Sequence, residues 1–237
     1  MTTLKTKVTK VFYIFVAILY LISFIISIIA YALGNRLVHG IFKGLVMPSI
    51  MGYTYLSWAG PRDKKYALLQ LAFFLAWIGD MIIALPREYT IKIGGGFFLF
   101  QHFIYIWLNL SAKGTKASIW KTLYWGLPSI AYVALFSICY WANRNVIERI
   151  LLVFYSFVLG SSFYTVFYRE ARTKFNYTAG ILGFTFFVLS DIILFLDNFV
   201  FKITDLEASS VLLTYYIAQS LICRMHVGDS QMALTIS

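Results

Sequence analysis

The order of apolar and polar positions divides the chain into long apolar runs joined by short polar connections. Runs without Lys, Arg, Asp or Glu extend from Val11 to Asn35, Gly44 to Pro61, Ile93 to Ala112, Thr122 to Asn143 and Ile150 to Tyr168. Because a helix rises about 1.5 Å per residue, about 20 apolar residues cross the hydrocarbon core of a bilayer. The pattern therefore predicts eight membrane-spanning helices, at roughly residues 11–33, 41–59, 66–85, 94–111, 120–141, 147–168, 177–200 and 209–225.

The short connections leave no room for a soluble domain, so we expect an all-α, multi-pass membrane protein whose residues 1–237 form one transmembrane domain. The composition agrees, because 60% of the residues are hydrophobic and 13% are charged. A soluble domain carries roughly 25% charged residues. The two cysteines, Cys139 and Cys223, fall inside predicted spans, so no disulfide framework is predicted.

The basic residues orient the chain. Its net charge is +10, but the Lys and Arg residues cluster at the ends of the predicted helices, so nucleic acid is not an expected partner. The N-terminus, the even-numbered loops and the C-terminus carry 13 Lys and Arg, whereas the odd-numbered loops carry 7. Since cytoplasmic loops are enriched in positive charge, both termini are predicted to be cytoplasmic.

An internal repeat appears when the chain is shifted by 111 residues. The stretch "YALLQLAFFLAWIGDMIIAL" then falls on "YTAGILGFTFFVLSDIILFL", and Asp80 meets Asp191. The same shift places spans one, two and four on spans five, six and eight. Four helices per half predict a parallel 4+4 repeat, with halves of about 1–115 and 116–237, related by an axis along the membrane normal. Such an axis would put both aspartates at one depth, roughly 21 Å from the cytoplasmic helix start, where they could meet in a central cavity.

An acidic residue within the membrane is costly and therefore indicates a functional site. The alternative is an aspartate held by Ser, Tyr or a backbone group that serves packing alone. Lys43 opens the second span on the same side of the membrane as the two aspartates. Its side chain could extend to the interface, or it could be a counter-ion for the carboxylates or for a lipid phosphate.

Further polar residues lie in two other spans: Gln101, His102, Tyr105 and Asn109 in the fourth, and Tyr215, Tyr216 and Gln219 in the eighth. They could join helices through hydrogen bonds or line a polar cavity. The glycines of "IGGGFF", residues 93–98, are interpreted as a turn into span four. No G-x-S-x-G motif of a serine hydrolase is present, and the scattered histidines do not predict a zinc site.

Two neighbouring carboxylates tend to share one proton, so the predicted pair would hold one neutral acid beside one anion. Such a pair suits acid-catalysed hydrolysis through an oxocarbenium-like species. It also suits proton-coupled transport. The residues alone do not separate these two functions.

Four motifs resemble those of the lysoplasmalogenase family, which comprises eight-helix membrane hydrolases. "WIGDMIIAL" resembles the family's G-D motif, "HFIY" its H-x-x-Y motif, "GFTFFVLSDIILFLDNF" its S-D helix and "TYYIAQSLI" its final Y-Y-x-A-Q helix. Lys43 resembles the lysine of a K-P-L-like stretch. Here that stretch reads Lys43-Gly44-Leu45 and the proline follows at Pro48, which puts the local geometry of span two in question.

The resemblance implies hydrolysis of the sn-1 vinyl ether bond of lysoplasmalogens to a fatty aldehyde and glycerophosphocholine or glycerophosphoethanolamine. It implies Asp80 and Asp191 as catalytic residues, with Asp80 as a first guess for the acid. The supporting residues would be Lys43, His102, Tyr105, Ser190, Tyr215, Tyr216 and Gln219. No metal or organic cofactor is expected, and the partners would be the lysophospholipid substrate and membrane lipid. The alternative is a proton-coupled transporter or a lipid-binding membrane protein that uses the same aspartates.

Overall fold

The structure is a computed structural model that describes residues 2–85, 89–112, 146–170, 173–195 and 205–236. These residues form seven helices: α1 Thr2–Ala32, α2 Arg36–Ser57, α3 Lys64–Ile83, α4 Thr90–Leu110, α5 Val146–Val166, α6 Lys174–Phe195 and α7 Asp205–Ile236. Each matches one predicted segment, which confirms the all-helical class. The predicted segment 120–141 lies outside the described residues, so the count of eight and the 4+4 repeat stay predictions.

Four of the described helices are long and apolar enough to cross a membrane. These are Val11–Ala32 within α1, Lys64–Ile83, Thr90–Leu110 and Lys174–Leu194. Helix α1 exposes a run of large apolar side chains along its length: Phe12, Phe15, Leu21, Ile25 and Ile29. An apolar surface of this extent suits contact with lipid rather than water. The chain is therefore a membrane protein.

The turn between α1 and α2 is set by two residues with special backbone roles. Gly34 ends α1 with a φ of +71°, a conformation that glycine adopts without steric cost. The amides of Gly34 and Asn35 bond to the carbonyls of Tyr31 and Ala30, as in a Schellman motif. The Asn35 side chain then accepts from the Val38 amide at 3.1 Å and caps α2.

The described structure divides into two compact units. The first comprises Met1–Gln101 with His226–Ser237, and the second comprises His102–Met225. In the first, α1 packs against α2 and α2 packs against α3; in the second, α5 packs against α6. Helices α4 and α7 each contribute residues to both units. The predicted repeat halves stay a prediction.

The interpretation of "IGGGFF" as a turn is wrong, because these residues lie within helix α4. The reason is close packing in the first unit. A β-carbon on Gly94 would lie 2.5 Å from Ile83 Cγ1 and 3.0 Å from the Gly79 carbonyl oxygen. A β-carbon on Gly79 would lie 3.2 Å from the Gly94 oxygen and from the Phe98 ring. Glycines at both positions therefore let α3 and α4 approach each other, directly beside Asp80.

Helix α7 continues past residue 225, where the predicted span ended, to Ile236. The extension belongs to the first unit and contacts the end of α2. Ser230 Oγ accepts from the Ala59 amide at 3.3 Å, and Gln231 Nε2 donates to the Ser57 carbonyl at 3.2 Å. These bonds satisfy backbone groups that the end of a helix leaves open. The hydropathy pattern marked only the apolar part of a longer helix.

Candidate active site

Asp80 forms a buried ion pair with Lys43 in the first unit. Lys43 Nζ lies 3.4 Å from Asp80 Oδ1, and the two side chains are 6% and 4% exposed. Lys43 lies about two turns into α2, and Asp80 lies in the last turn of α3. A charge removed from water is destabilising unless an opposite charge and hydrogen bonds compensate it. The Lys43 side chain is therefore directed at the carboxylate and not towards an interface.

Asp191 has a different kind of partner in the second unit. The Tyr155 hydroxyl on α5 donates to Asp191 Oδ2 at 2.7 Å. Among the described residues no cation pairs with Asp191. Its exposure is intermediate, whereas Asp80 is 3% exposed. The two aspartates thus differ both in the charge of their partner and in their accessibility.

His102 is fully buried in the second unit and lies close to the Asp191 cluster. Its ring contacts Phe187, with centroids 4.6 Å apart, and Tyr155, with centroids 6.2 Å apart. His102 Nδ1 lies 2.9 Å from Ser162 Oγ, whose hydrogen is donated to the Leu159 carbonyl. Nδ1 is therefore assigned as the donor, which leaves Nε2 as an acceptor. Within the described ranges, Nε2 has no hydrogen-bond partner.

Other predicted site residues tie the helices of the second unit together. Tyr105 donates to Gln219 Oε1 at 2.8 Å, which joins α4 to α7. Ser190 donates to the Val211 carbonyl at 3.1 Å, which joins α6 to α7 one residue before Asp191. The Tyr215 ring lies 5.6 Å from that of Phe187. These residues therefore join helices through hydrogen bonds and ring contacts within the second unit, which also contains Asp191.

Tyr216 is fully buried beside Tyr215, with ring centroids 5.5 Å apart. Of the predicted site residues, Lys43 and Asp80 belong to the first unit, and the other seven belong to the second. Each aspartate therefore has its own local set of partners. Within the described part of the chain, no three His, Cys, Asp or Glu side chains are grouped so that they could hold a metal ion.

Sequence reasoning missed Tyr155, which looked like one more aromatic residue of an apolar run. The repeat contained a signal that could have found it. Lys43, the partner of Asp80, falls on Phe154 when shifted by 111 residues, directly beside Tyr155. A search for a polar partner on the helix preceding each aspartate would have identified it. Ser162, which contacts His102 Nδ1, was also missed, because it lies in none of the quoted motifs.

The fold and these contacts define an all-helical membrane protein with aspartates held among apolar helices. A family model matches residues 38–225, and the chain belongs to the YhhN family, which includes lysoplasmalogenase. The match contains both aspartates and every supporting residue named above. No curated protein and no solved structure matches the chain.

Proposed function

We propose that the protein hydrolyses the vinyl ether bond of lysoplasmalogens, releasing a fatty aldehyde and a glycerophosphocholine or glycerophosphoethanolamine. Membership of a family that includes lysoplasmalogenase supports a hydrolase of this type. The observation that carries the proposal is the contrast between Asp80, beside a buried cation, and Asp191, beside a neutral hydroxyl. Vinyl ether hydrolysis requires one acid that donates a proton and one group that stabilises positive charge.

The partners support a division of roles between the aspartates. An ammonium group 3.4 Å away favours the ionised form of Asp80. The Tyr155 hydroxyl supplies no full positive charge to Asp191, so its hydrogen bond favours the ionised form less than the Lys43 ammonium does at Asp80, and the neutral acid forms more readily at Asp191. We therefore assign proton donation to Asp191 and the anionic role to Asp80, the reverse of the first guess from sequence.

The reaction then follows in three steps. The Asp191 carboxyl transfers its proton to the alkene carbon remote from the ether oxygen, which leaves an oxocarbenium ion. The Asp80 carboxylate stabilises that cation and accepts a proton from the water that adds to it. The resulting hemiacetal collapses: its hydroxyl proton returns to Asp191, the bond to the glycerol oxygen breaks, and that oxygen takes the proton held by Asp80, so both aspartates regain their starting states. The joint action of the two aspartates rests on the sequence repeat, and the steps require no metal or organic cofactor.

The decisive experiment is an aldehyde assay. Purified protein in detergent or in vesicles is given lysoplasmenylethanolamine or lysoplasmenylcholine, and aldehyde release is measured. We expect turnover in the wild type and a loss of about 10²-fold or more in Asp80→Asn and Asp191→Asn. A saturated ether analogue should inhibit competitively, because it has no alkene carbon to protonate.

Absence of aldehyde with protein that is folded and stable in the assay would contradict the proposal. Proton-coupled movement of a solute across vesicles would instead favour the transporter. Binding of the lysolipid without turnover would favour a lipid-binding protein.

Chemical rescue tests the division of roles. In Asp80→Gly, added formate can occupy the space beside Lys43 and replace the missing carboxylate, so turnover should recover in part. In Asp191→Gly, formate should restore little, because at neutral pH it is almost entirely ionised and donates no proton. Rescue of Asp191→Gly alone would reverse the assignment.

A further inference from the structure

Helix α2 contains a backbone carbonyl that its own helix cannot satisfy. In an α-helix each carbonyl accepts from the amide four residues later. The residue four positions after Gly44 is Pro48, which has no amide hydrogen, and Pro48 lies inside the continuous helix Arg36–Ser57. The Gly44 carbonyl therefore requires a donor from elsewhere.

Trp77 on α3 supplies that donor. Its indole Nε1 donates to the Gly44 carbonyl oxygen at 2.9 Å. Gly44 also faces α3 closely, because a β-carbon there would lie 3.3 Å from Met81 Sδ. Trp77, 29 positions after Pro48 in the chain, thus donates the hydrogen bond that the Pro48 nitrogen cannot donate.

The bond lies beside the ion pair on both helices. Gly44 follows Lys43 directly on α2, and Trp77 precedes Asp80 by three residues on α3, so it lies about one turn away on the same side of the helix. Sliding or rotating α2 against α3 would break the indole contact and separate Lys43 from Asp80 together. The same helix register therefore satisfies both contacts.

We propose that Trp77 is a positioning residue for catalysis: its hydrogen bond to the carbonyl released by Pro48 fixes the register of α2 and α3 that holds Lys43 beside Asp80. The inference rests on the proposed function, in which Asp80 acts as the anion. Trp77 itself touches no reacting atom. If Trp77 served packing alone, the effect of replacing it would not depend on the residue at position 48 or on Lys43.

The first test replaces Trp77 with Phe, which keeps an aromatic ring and removes the donor. Because an error of about 1 Å in a catalytic group can cost up to about 100-fold, we expect kcat to fall about tenfold or more with KM little changed. Trp58→Phe is the matched control. Trp58 also donates its indole hydrogen to a carbonyl, that of Pro61 at 3.0 Å, but at the other end of α2. Its activity should stay at the wild-type level.

The second test restores the missing donor from within the helix. Pro48→Ala supplies an amide that can reach the Gly44 carbonyl, so the carbonyl no longer needs the indole and this variant has already weakened the link between α2 and α3. Trp77→Phe should therefore cost less than about threefold in activity when it is added to Pro48→Ala. An equal cost of Trp77→Phe with and without Pro48→Ala would overturn the proposal. If Trp77→Phe fails to fold, Pro48→Ala should recover the fold as well, and failure to do so would overturn it too.

The third test links Trp77 to the ion pair. Lys43→Met should cost much less activity in the Trp77→Phe background than in the wild type, since the pair is already displaced. Fully additive losses would show that Trp77 acts independently of Lys43.

Thermal melting of the same variants separates this inference from the proposed function. If the wild type releases no aldehyde, the proposed function fails, whereas the Trp77–Pro48 and Trp77–Lys43 couplings can still be measured in Tm. Non-additive changes in Tm would support the role of Trp77 in fixing the register of α2 and α3 even if the reaction is not vinyl ether hydrolysis. Additive changes in Tm would overturn that role as well.

Discussion

Asp80 and Asp191 fall on each other when the sequence is shifted by 111 residues, yet their partners differ in charge. Lys43 gives Asp80 a cation, and Tyr155 gives Asp191 a hydroxyl. Both partners come from the helix that precedes the aspartate in the chain. At the scale of single residues, the partner of each carboxyl group therefore differs in charge, and the proposed division of roles rests on this difference.

Tyr155→Phe tests the partner of Asp191. The change removes one hydrogen bond and keeps the ring that contacts His102. A hydrogen bond of this kind contributes about 1–3 kcal/mol, so we expect kcat to fall roughly tenfold when the carboxyl loses its orientation. Tyr164→Phe is the control, since its hydroxyl, on the same helix, bonds to Tyr168. Equal activity of Tyr155→Phe and Tyr164→Phe in the aldehyde assay would show that the Tyr155 hydroxyl does not contribute to the reaction.

The origin of the transferred proton gives a second prediction at this scale. A neutral Asp191 carboxyl is expected to exchange its proton with solvent between turnovers. In D₂O the reaction should slow, and one deuterium should appear at the carbon next to the aldehyde group, as measured by mass spectrometry with rapid trapping. Aldehyde that contains only protium under conditions preventing back-exchange would contradict protonation of the alkene. A transporter would yield no labelled aldehyde.

Helices in this protein approach each other through glycines. Gly79 and Gly94 bring α3 and α4 together, and Gly180 and Gly183 bring α6 close to α7, where their added β-carbons would collide with Met225 and Ile222. Small residues at helix contacts are favourable in membranes because packing, and not water exclusion, drives association there. Each aspartate thus lies on a helix that is closely packed through glycine.

Gly94→Ala tests this contact. Because the added methyl group would lie 2.5 Å from Ile83 Cγ1, we expect destabilisation of about 1–3 kcal/mol and a lower Tm in detergent. Activity should fall as well, since the displaced α3 carries Asp80. Gly96→Ala, on the same helix with nothing within 4 Å of its added carbon, is the matched control and should lose no stability. Similar Tm values for the two variants would show that α3 and α4 do not require this close approach.

At the scale of the whole molecule, the protein belongs in a membrane, because four of its described helices are long and apolar enough to cross the bilayer. Its basic residues are divided 13 to 7 between the two sets of loops and termini, which predicts one orientation. The ion pair lies near the start of α2 and the end of α3. With a cytoplasmic N-terminus, these helix ends would belong to the face opposite the cytoplasm.

Reporter fusions test the orientation. A fluorescent protein or alkaline phosphatase attached to either terminus reports its side of the membrane, since each is active on one side only. We expect both termini to be cytoplasmic, because an even number of spans returns the chain to the side where it began. Opposite locations of the two termini would mean that the number of spans is odd. Two external termini would reverse the orientation.

Much of the fold follows from the sequence, because hydrophobicity and charge act locally along each segment. Seven predicted segments are helices in the structure, and Asp80 and Asp191 stood out because a carboxylate in an apolar run is costly wherever the run is packed. The errors fell where tertiary contacts outweigh local preference. Gly94 lies in a helix that packs closely against α3, and the part of α7 past residue 225 bonds to Ser57 and Ala59.

The sequence by itself determined the class of the protein, the helices and the two acidic positions. Only the tertiary structure decided which side chains accompany them: Lys43 with Asp80, Tyr155 with Asp191 and Trp77 with the Gly44 carbonyl. These partners are separated by more than 30 positions in the chain and join different helices. Which side chains meet depends on the register between helices. That register is set by close packing at glycines and by the bond from Trp77 to the carbonyl that Pro48 leaves without an amide donor. A hydropathy pattern reports neither contact.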